Sequence, residues 1–445
     1  MYLVRRTAEL FLLDSDDDEC LLAKYGINGF WTEEQLEHHK KVGELLGDKK
    51  PKWFDDLKNI GDGRFGLDHR RMSNNSVAFT KKPKEEELHL QFMLLRGEGE
   101  PCFVNMEEAL RRRPNAEGLN PCVEIVLDSY GVCNLSTVNL VQFVVKNDDK
   151  HELDIKGLLE AQRLSARIGL RMTLATLELP HWDKIQKRDR LLGTSLTGVK
   201  DALAMLKYDE QQEEQLLKLL GNTAREEADR YAAELRISSP LLVTAVKPEG
   251  SISQLAGGVS SGLHWSHSPY YIRRIRINST DPLVEVAKLL DWSINPEVGT
   301  IGDTFEEKMK NARTLVIDFP ISSGSNETKD DVSAKRQFDT YFRFQDNYTE
   351  HNSSNTITVR PEEWDEVEQI VWDSWDNFVG VSFLQLDGGT YQLAPYEKIS
   401  KEEYDELKAK MKPFDVSLLY SIEKSETEID LDNMESCEKG ACPIR

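Results

Sequence analysis

Apolar and polar positions along this chain follow two rhythms. A helical period runs through residues 154–179, where Leu158, Leu159, Ala161 and Leu164 fall on one side. Further helices are predicted over 190–206, 211–235, 282–290, 333–344, 361–378 and 401–411. Polar, helix-compatible stretches cover 32–47 and 82–98, and the acidic run 14–19 is placed to cap a short helix over 20–24. Apolar runs of strand length fall at 6–13, 123–127, 132–140, 241–246, 271–277, 314–319, 355–359 and 381–383. Residues 128–131 read as the turn of a strand–turn–strand unit, and 61–64 as another turn. Strands alternating with helices predict an α/β fold with a largely parallel sheet. From 414 to 445 the chain is acidic and sparsely apolar, which suits a mobile tail. There is no internal repeat and no coiled-coil heptad.

Composition narrows the class. With 445 residues, 39% of them hydrophobic, the chain can bury a sizeable core. The net charge of -22 argues against non-specific binding to nucleic acid or to an anionic membrane. No run approaches the ~18 apolar residues of a membrane span, and Met1 to Arg6 lacks the features of a signal peptide. Six cysteines are too few for a disulfide scaffold of this length, so a cytoplasmic location is expected.

Candidate chemistry concentrates in two cysteine-bearing segments. In Asn120-Pro121-Cys122-Val123-Glu124, alternation along an extended segment would put an amide, a thiol and a carboxylate on one face. Taken alone, Cys122 reads as well as a small core residue, and Cys133 as an ordinary strand residue. The terminal pair Cys437 and Cys442 spans Gly440 and has no core to serve, which favours a reactive dithiol. Lys247-Pro248-Glu249-Gly250-Ser251-Ile252-Ser253-Gln254 follows a strand and is similar to an anion-binding turn, although ordinary loops share that composition. His264 and His267 bracket Trp265, more in the manner of hydrogen-bonded loop residues than of metal ligands; no metal site is expected. Tyr270-Tyr271 needs no role beyond starting a strand.

Together these segments resemble the catalytic chain of ribonucleotide reductases, most closely the adenosylcobalamin-dependent class II group of monomeric ribonucleoside-triphosphate reductase type. The resemblance is carried by Asn120 to Ile125, by Cys133-Asn134-Leu135-Ser136 and by Lys247 to His264. Arg71 to Val77, Tyr391 to Tyr396 and the ending Cys437 to Arg445 add to it. It implies the C-terminal part of a ten-stranded α/β barrel with an internal finger loop over 1–413, and an acidic redox tail over 414–445. It also implies roles. Cys122 would be the thiyl radical that takes the 3′ hydrogen, Glu124 the base on the 3′ hydroxyl, and Asn120 the holder of the ribose hydroxyls. Cys133 would be one member of the reducing dithiol, and Cys437 and Cys442 the shuttle that regenerates it. Gly250, Ser251, Ile252 and Ser253 would bind substrate phosphate.

Adenosylcobalamin is the implied cofactor, with no ligand residue assignable. A ribonucleoside triphosphate and thioredoxin, or a similar dithiol donor, are the implied partners. Complete family chains carry a front portion ahead of the strand near Arg5, holding the first barrel strands and the second dithiol cysteine. Neither Cys20 nor Cys102 resembles that cysteine in context. The expectation is therefore the C-terminal product of a split or truncated gene, working with an N-terminal fragment. A class I-type fragment, a non-catalytic nucleotide- or partner-binding remnant, and a thiyl-radical enzyme acting on another polyol are the alternatives.

Overall fold

The computed structural model describes residues 10–427, apart from 28, 30–31, 60–66, 68, 71–72, 149, 326 and 387–392. Strands in chain order are β1 (Phe11–Asp14), β2 (Asn75–Phe79), β3 (Cys102–Asn105), β4 (Gly118–Leu119), β5 (Val126–Leu127), β6 (Asn134–Asn139), β7 (Val144–Asn147), β8 (Lys150–Leu153) and β9 (Leu192–Thr197). They continue with β10 (Tyr270–Asn278), β11 (Ile294–Pro296), β12 (Thr314–Ser322), β13 (Thr356–Val359), β14 (Ser382–Gln385) and β15 (Tyr396–Lys398). The chain divides into two compact units, one of residues 2–269 with 323–389, the other centred on 270–322 with 390–445.

The first unit is parallel α/β. β1, β2 and β3 pair in parallel in that order. β6 pairs in parallel with β9. β9 in turn bonds the segment 242–246, through Leu192 N–H to Leu242 O at 3.0 Å and Thr194 N–H to Val243 O at 2.9 Å. That segment meets 352–354, through Ser354 N–H to Val246 O at 2.8 Å, and β13 pairs in parallel with β14. Asn105 N–H donates to Val379 O at 2.7 Å, which ties the end of β3 to the approach of β14. Among the described residues β1 pairs only with β2 and β6 only with β9, so the file of strands has two free edges and no closed sheet.

Helices cover this file because their apolar stripes require it. The helix Ile155–Met172 buries Leu158, Ala166, Gly169 and Leu170. A methyl group at Gly169 would sit 3.3 Å from Leu192 Cδ2, so the glycine permits a close approach of helix to β9. The helix Glu210–Leu235 closes its first turn with a reciprocal cap between Asp209 and Gln212. A second core is aromatic, with Phe92, Phe103, Phe378, Phe383 and Trp375 packed at ring separations of 5.5–6.3 Å.

The predicted helix over 190–206 is corrected. Residues 192–197 form β9, all six buried, and only Val199–Leu206 is helical. A parallel strand buried on both faces shows no alternation, and here it lacks the β-branched run that would mark it. The predicted strand–turn–strand unit over 123–140 is corrected too: β5 pairs with β4, while β6 pairs with β9.

The second unit is antiparallel, in the order β11–β12–β10–β15. The helices Pro282–Leu289, Phe305–Asn311, Lys401–Lys410 and Val416–Thr427 belong to it. Its buried charge is paired: Arg274 Nε donates to Asp318 Oδ1 at 2.9 Å, and Ser293 and Asn295 satisfy Asp318 Oδ2. Tyr270 and Tyr271 open β10, as their place in the apolar run implies.

Candidate active site

β4 and β5 form a two-stranded hairpin whose tip is Asn120 to Ile125. Asn followed by Pro is turn chemistry, and Val123 N–H donates to Asn120 O at 2.8 Å to close the turn. Asn120 Oδ1 also accepts from Ile125 N–H at 2.9 Å, while Val123 takes a left-handed φ of 66°. The expected extended segment with three side chains on one face is therefore corrected. The chain turns, so Cys122 stands exposed at the tip and Glu124 is 1% exposed.

Side chains from distant segments, most of them buried, brace this tip. Asn74 Nδ2 donates to Pro121 O at 3.1 Å. Asn352 gives its backbone N–H to Glu124 O at 3.1 Å and its Nδ2 to Val123 O at 2.9 Å. Tyr341 in turn donates to Asn352 Oδ1 at 2.9 Å. Val126 N–H donates to His351 Nδ1, and His351 Nε2 donates to Leu192 O, which fixes a neutral imidazole between β5 and β9. Burial holds this histidine near pKa 3, against an ordinary 6.5. Arg113 completes the brace by donating to Val126 O at 3.0 Å.

The segment 349–355 that supplies most of these contacts was not singled out in the sequence. It is a polar run, Thr-Glu-His-Asn-Ser-Ser-Asn, which normally marks a solvated loop. Here all but Glu350 are buried.

Electrostatics tie the tip to Cys133 and Lys247. Burial is the largest influence on Glu124 and raises its carboxyl; the Asn120 side chain and the Lys247 charge pull it back, and Glu249 opposes them. Glu124 Oε2 has no hydrogen-bond partner. Cys122 is raised by desolvation of its sulfur, although the residue is exposed, and then by Glu124. Cys133, immediately before β6, is pushed well above an ordinary thiol, first by burial and then by Glu124. Lys247 lowers both thiols. Two protonated thiols beside a carboxyl with a free oxygen suit hydrogen transfer better than nucleophilic attack. Gly193 on β9 leaves room for Cys133: a Cβ there would lie 3.3 Å from its Sγ and 2.2 Å from Leu135 Cδ2.

The Lys247–Gln254 loop keeps part of its expected character. Gly250 is open on its Cβ side, and Ser251 and Ile252 are exposed where the short helix Ile252–Leu255 begins. Ser253 is fully buried, and its hydroxyl meets Ser261 Oγ at 3.0 Å, so that hydroxyl faces inward. Glu249, 3% exposed with a φ of 57°, accepts from Thr137 Oγ1 at 2.8 Å. His264 is bound between Ser261 O and Thr356 N–H, the loop role expected of it. No group of three metal-binding side chains occurs among the described residues. Cys437 and Cys442 lie outside the described residues, as do Arg71, Met72, Tyr391 and Gln392. Cys102 lies on β3, its thiol pushed up to about 12 by burial, and Cys20 is on a short outer helix; neither joins the tip.

This is an α/β protein built around a hairpin tip of thiol, amide and carboxylate. Residues 35–234 match the family described as "Ribonucleotide reductase, barrel domain". The adenosylcobalamin-dependent ribonucleoside-triphosphate reductases of Lactobacillus acidophilus and Lactobacillus gasseri are each 28% identical, over 99% and 85% of this chain. That of Lactobacillus leichmannii is 25% identical over 99%. The chain spans 53–57% of these relatives' lengths. A crystal structure of a B-12 dependent (class II) ribonucleotide reductase superposes with a TM-score of 0.71 at 23% identity, over 94% of this chain and 56% of that one. The chain is thus similar in sequence to adenosylcobalamin-dependent ribonucleoside-triphosphate reductases, and it shares the fold of the class II ribonucleotide reductase structure. No helix among the described residues is long and apolar enough to cross a membrane.

Proposed function

We propose that this chain supplies the catalytic tip of a ribonucleoside-triphosphate reductase and works with a second polypeptide. The observation that carries the reading is the braced hairpin itself. The Cys122 and Cys133 thiols both lie within electrostatic reach of Glu124, whose Oε2 has no hydrogen-bond partner. Several buried side chains fix that tip, as positioned chemistry requires.

In this mechanism a thiyl radical at Cys122 takes the 3′ hydrogen of the ribose while Glu124 accepts the 3′ hydroxyl proton. Burial suits Glu124 to the task, because a raised carboxyl is a stronger base near neutral pH. Asn120, whose Oδ1 is held by Ile125 N–H, orients the ribose hydroxyls. The 2′ hydroxyl leaves as water with one proton from a dithiol of which Cys133 is one member; the dithiol's other hydrogen and its two electrons go to the 2′ carbon, and Glu124 returns its proton to the 3′ oxygen. The 3′ hydrogen returns from Cys122, and the dithiol ends as a disulfide. Residues 414–445 act as the redox tail, in which Cys437 and Cys442 reduce that disulfide and are themselves re-reduced by thioredoxin or a similar donor. Gly250, Ser251 and Ile252 receive the triphosphate, and Ser253 holds the loop's shape from within.

Adenosylcobalamin, when bound, supplies the one-electron oxidation that makes the thiyl. The exposure of Cys122 at the tip fits access by such a group, and no described residue is assigned to hold it. The second dithiol cysteine and the strands beyond the free edges of β1 and β6 would come from an N-terminal fragment. Substituting Cys437 and Cys442 by serine tests the tail: multiple turnover with thioredoxin should stop while a single turnover survives. Unchanged multiple turnover in that variant would sink the shuttle.

A further inference from the structure

Residues given no role above line a separate cleft of about 350 Å³ in the first unit. It lies among the helix Val199–Leu206, the first turn of Glu210–Leu235 and the helix Ala334–Asn347, with Trp265 in its wall. Its interior holds Lys200, Glu213, Arg343 and Thr340, each about nine-tenths buried or more.

The acceptors in this cleft are already engaged. Glu213 Oε1 takes Lys200 Nζ at 2.7 Å, and its Oε2 lies 3.1 Å from Arg343 Nε. Glu327 takes Trp265 Nε1 at 2.9 Å and also binds Arg336. Donors, by contrast, are left over. Lys200 has three N–H groups, makes one hydrogen bond, and rests 4.7 Å from the Trp265 ring. Arg343 Nε is within ion-pair distance of Glu213, yet the angle leaves it without a hydrogen bond. Thr340 Oγ1, in a residue 1% exposed, has no partner. Glu210 also pairs with Arg343, but it is 69% exposed at the rim, where solvent screens it. Over the whole lining Lys200, Lys207, Arg336 and Arg343 balance Asp209, Glu210, Glu213 and Glu327, but the buried interior holds Lys200 and Arg343 against Glu213 alone, an excess of positive charge with unsatisfied donors. Buried donors in that state cost stability unless something accepts from them.

We propose that this cleft binds a small oxyanion, a phosphate or carboxylate group, held by Lys200, Arg343 and Thr340 Oγ1. The site is independent of the Cys122 tip and of the Gly250 loop. Calorimetric titration of the full chain with inorganic phosphate, at constant ionic strength in chloride, tests it. Saturable binding should weaken about tenfold or more in Arg343→Gln, the weight of one charge-assisted hydrogen bond. It should weaken by a smaller factor in Thr340→Val, and hold in Ser251→Ala, which leaves the cleft intact. Circular dichroism checks that each variant is folded; if Arg343→Gln is not, Thr340→Val decides. Competition by acetate would make the ligand class carboxylate as well as phosphate, and its failure would restrict the site to phosphate. Absence of saturable binding would overturn the proposal. So would equal affinity in wild type and the cleft variants, or loss in Ser251→Ala alone, which would move the phosphate to the Gly250 loop.

Discussion

Val126 has both backbone groups bound by buried side chains, its N–H by His351 and its carbonyl by Arg113. That is how a tip of six residues is held still beneath a reactive thiol. The His351 imidazole carries a pH signature. Below 6.5 the unfolded chain protonates this ring, whereas the folded chain resists until about 3. Stability should therefore fall as pH drops through that window, by up to about 5 kcal/mol from this ring. In His351→Gln the amide can still accept from Val126 and donate to Leu192 without titrating. Urea unfolding should show the variant gaining on wild type as pH falls from 6.5 toward 4; a gap that stays constant would refute this origin. Asn120, Cys122 and Glu124 were singled out in the sequence as an extended segment, but Asn-Pro turns the chain where alternation implied a strand. The sequence was silent on His351 and Asn352, since a polar run declares its burial only through the tertiary structure.

At the scale of elements, Gly193 decides whether β6 and β9 can carry a thiol between them. Leu135, Ile125 and Cys133 all crowd the place a side chain would take. Gly193→Ala should cost about 1–3 kcal/mol in urea unfolding, the usual range for an overpacked core. A change under about 0.5 kcal/mol would show that the strands shift freely. Long amphipathic helices such as Glu210–Leu235 were legible because their period repeats over many residues. β9 was not, as leucine, glycine, threonine and serine buried on both faces leave no periodic trace. The segment 241–246 was legible as an apolar run, though it makes only isolated bridges.

At the scale of the whole molecule, the parallel sheet was readable from alternating strands and helices. The antiparallel second unit was not, because pairing direction is set by partners distant in sequence. Among the described residues β6 has a free edge, and the helix Ile155–Met172 that packs on β6 carries an apolar surface. On the helix Ile155–Met172, Leu164, Ile168 and Met172 are exposed at successive i, i+4 positions. They adjoin Arg167 and Arg171, which meet Glu227 and Tyr231 of the neighbouring helix. A bare strand edge beside an apolar stripe favours association. Sedimentation should show concentration-dependent self-association of the chain alone, reduced in Leu164→Glu/Ile168→Glu. A monodisperse monomer at all concentrations would count against an incomplete edge.

The central claim is that Cys122 starts the chemistry on the ribose. The most direct measurement is a single-turnover assay of this chain, together with the N-terminal fragment proposed above, with adenosylcobalamin and a ribonucleoside triphosphate, counting deoxyribonucleotide formed per chain. Wild type should give about one product per prereduced dithiol. Cys122→Ser should give none while retaining the fold and nucleotide binding, and Glu124→Gln should slow the step by about 10²-fold or more. Product from Cys122→Ser at the wild-type yield would contradict the account.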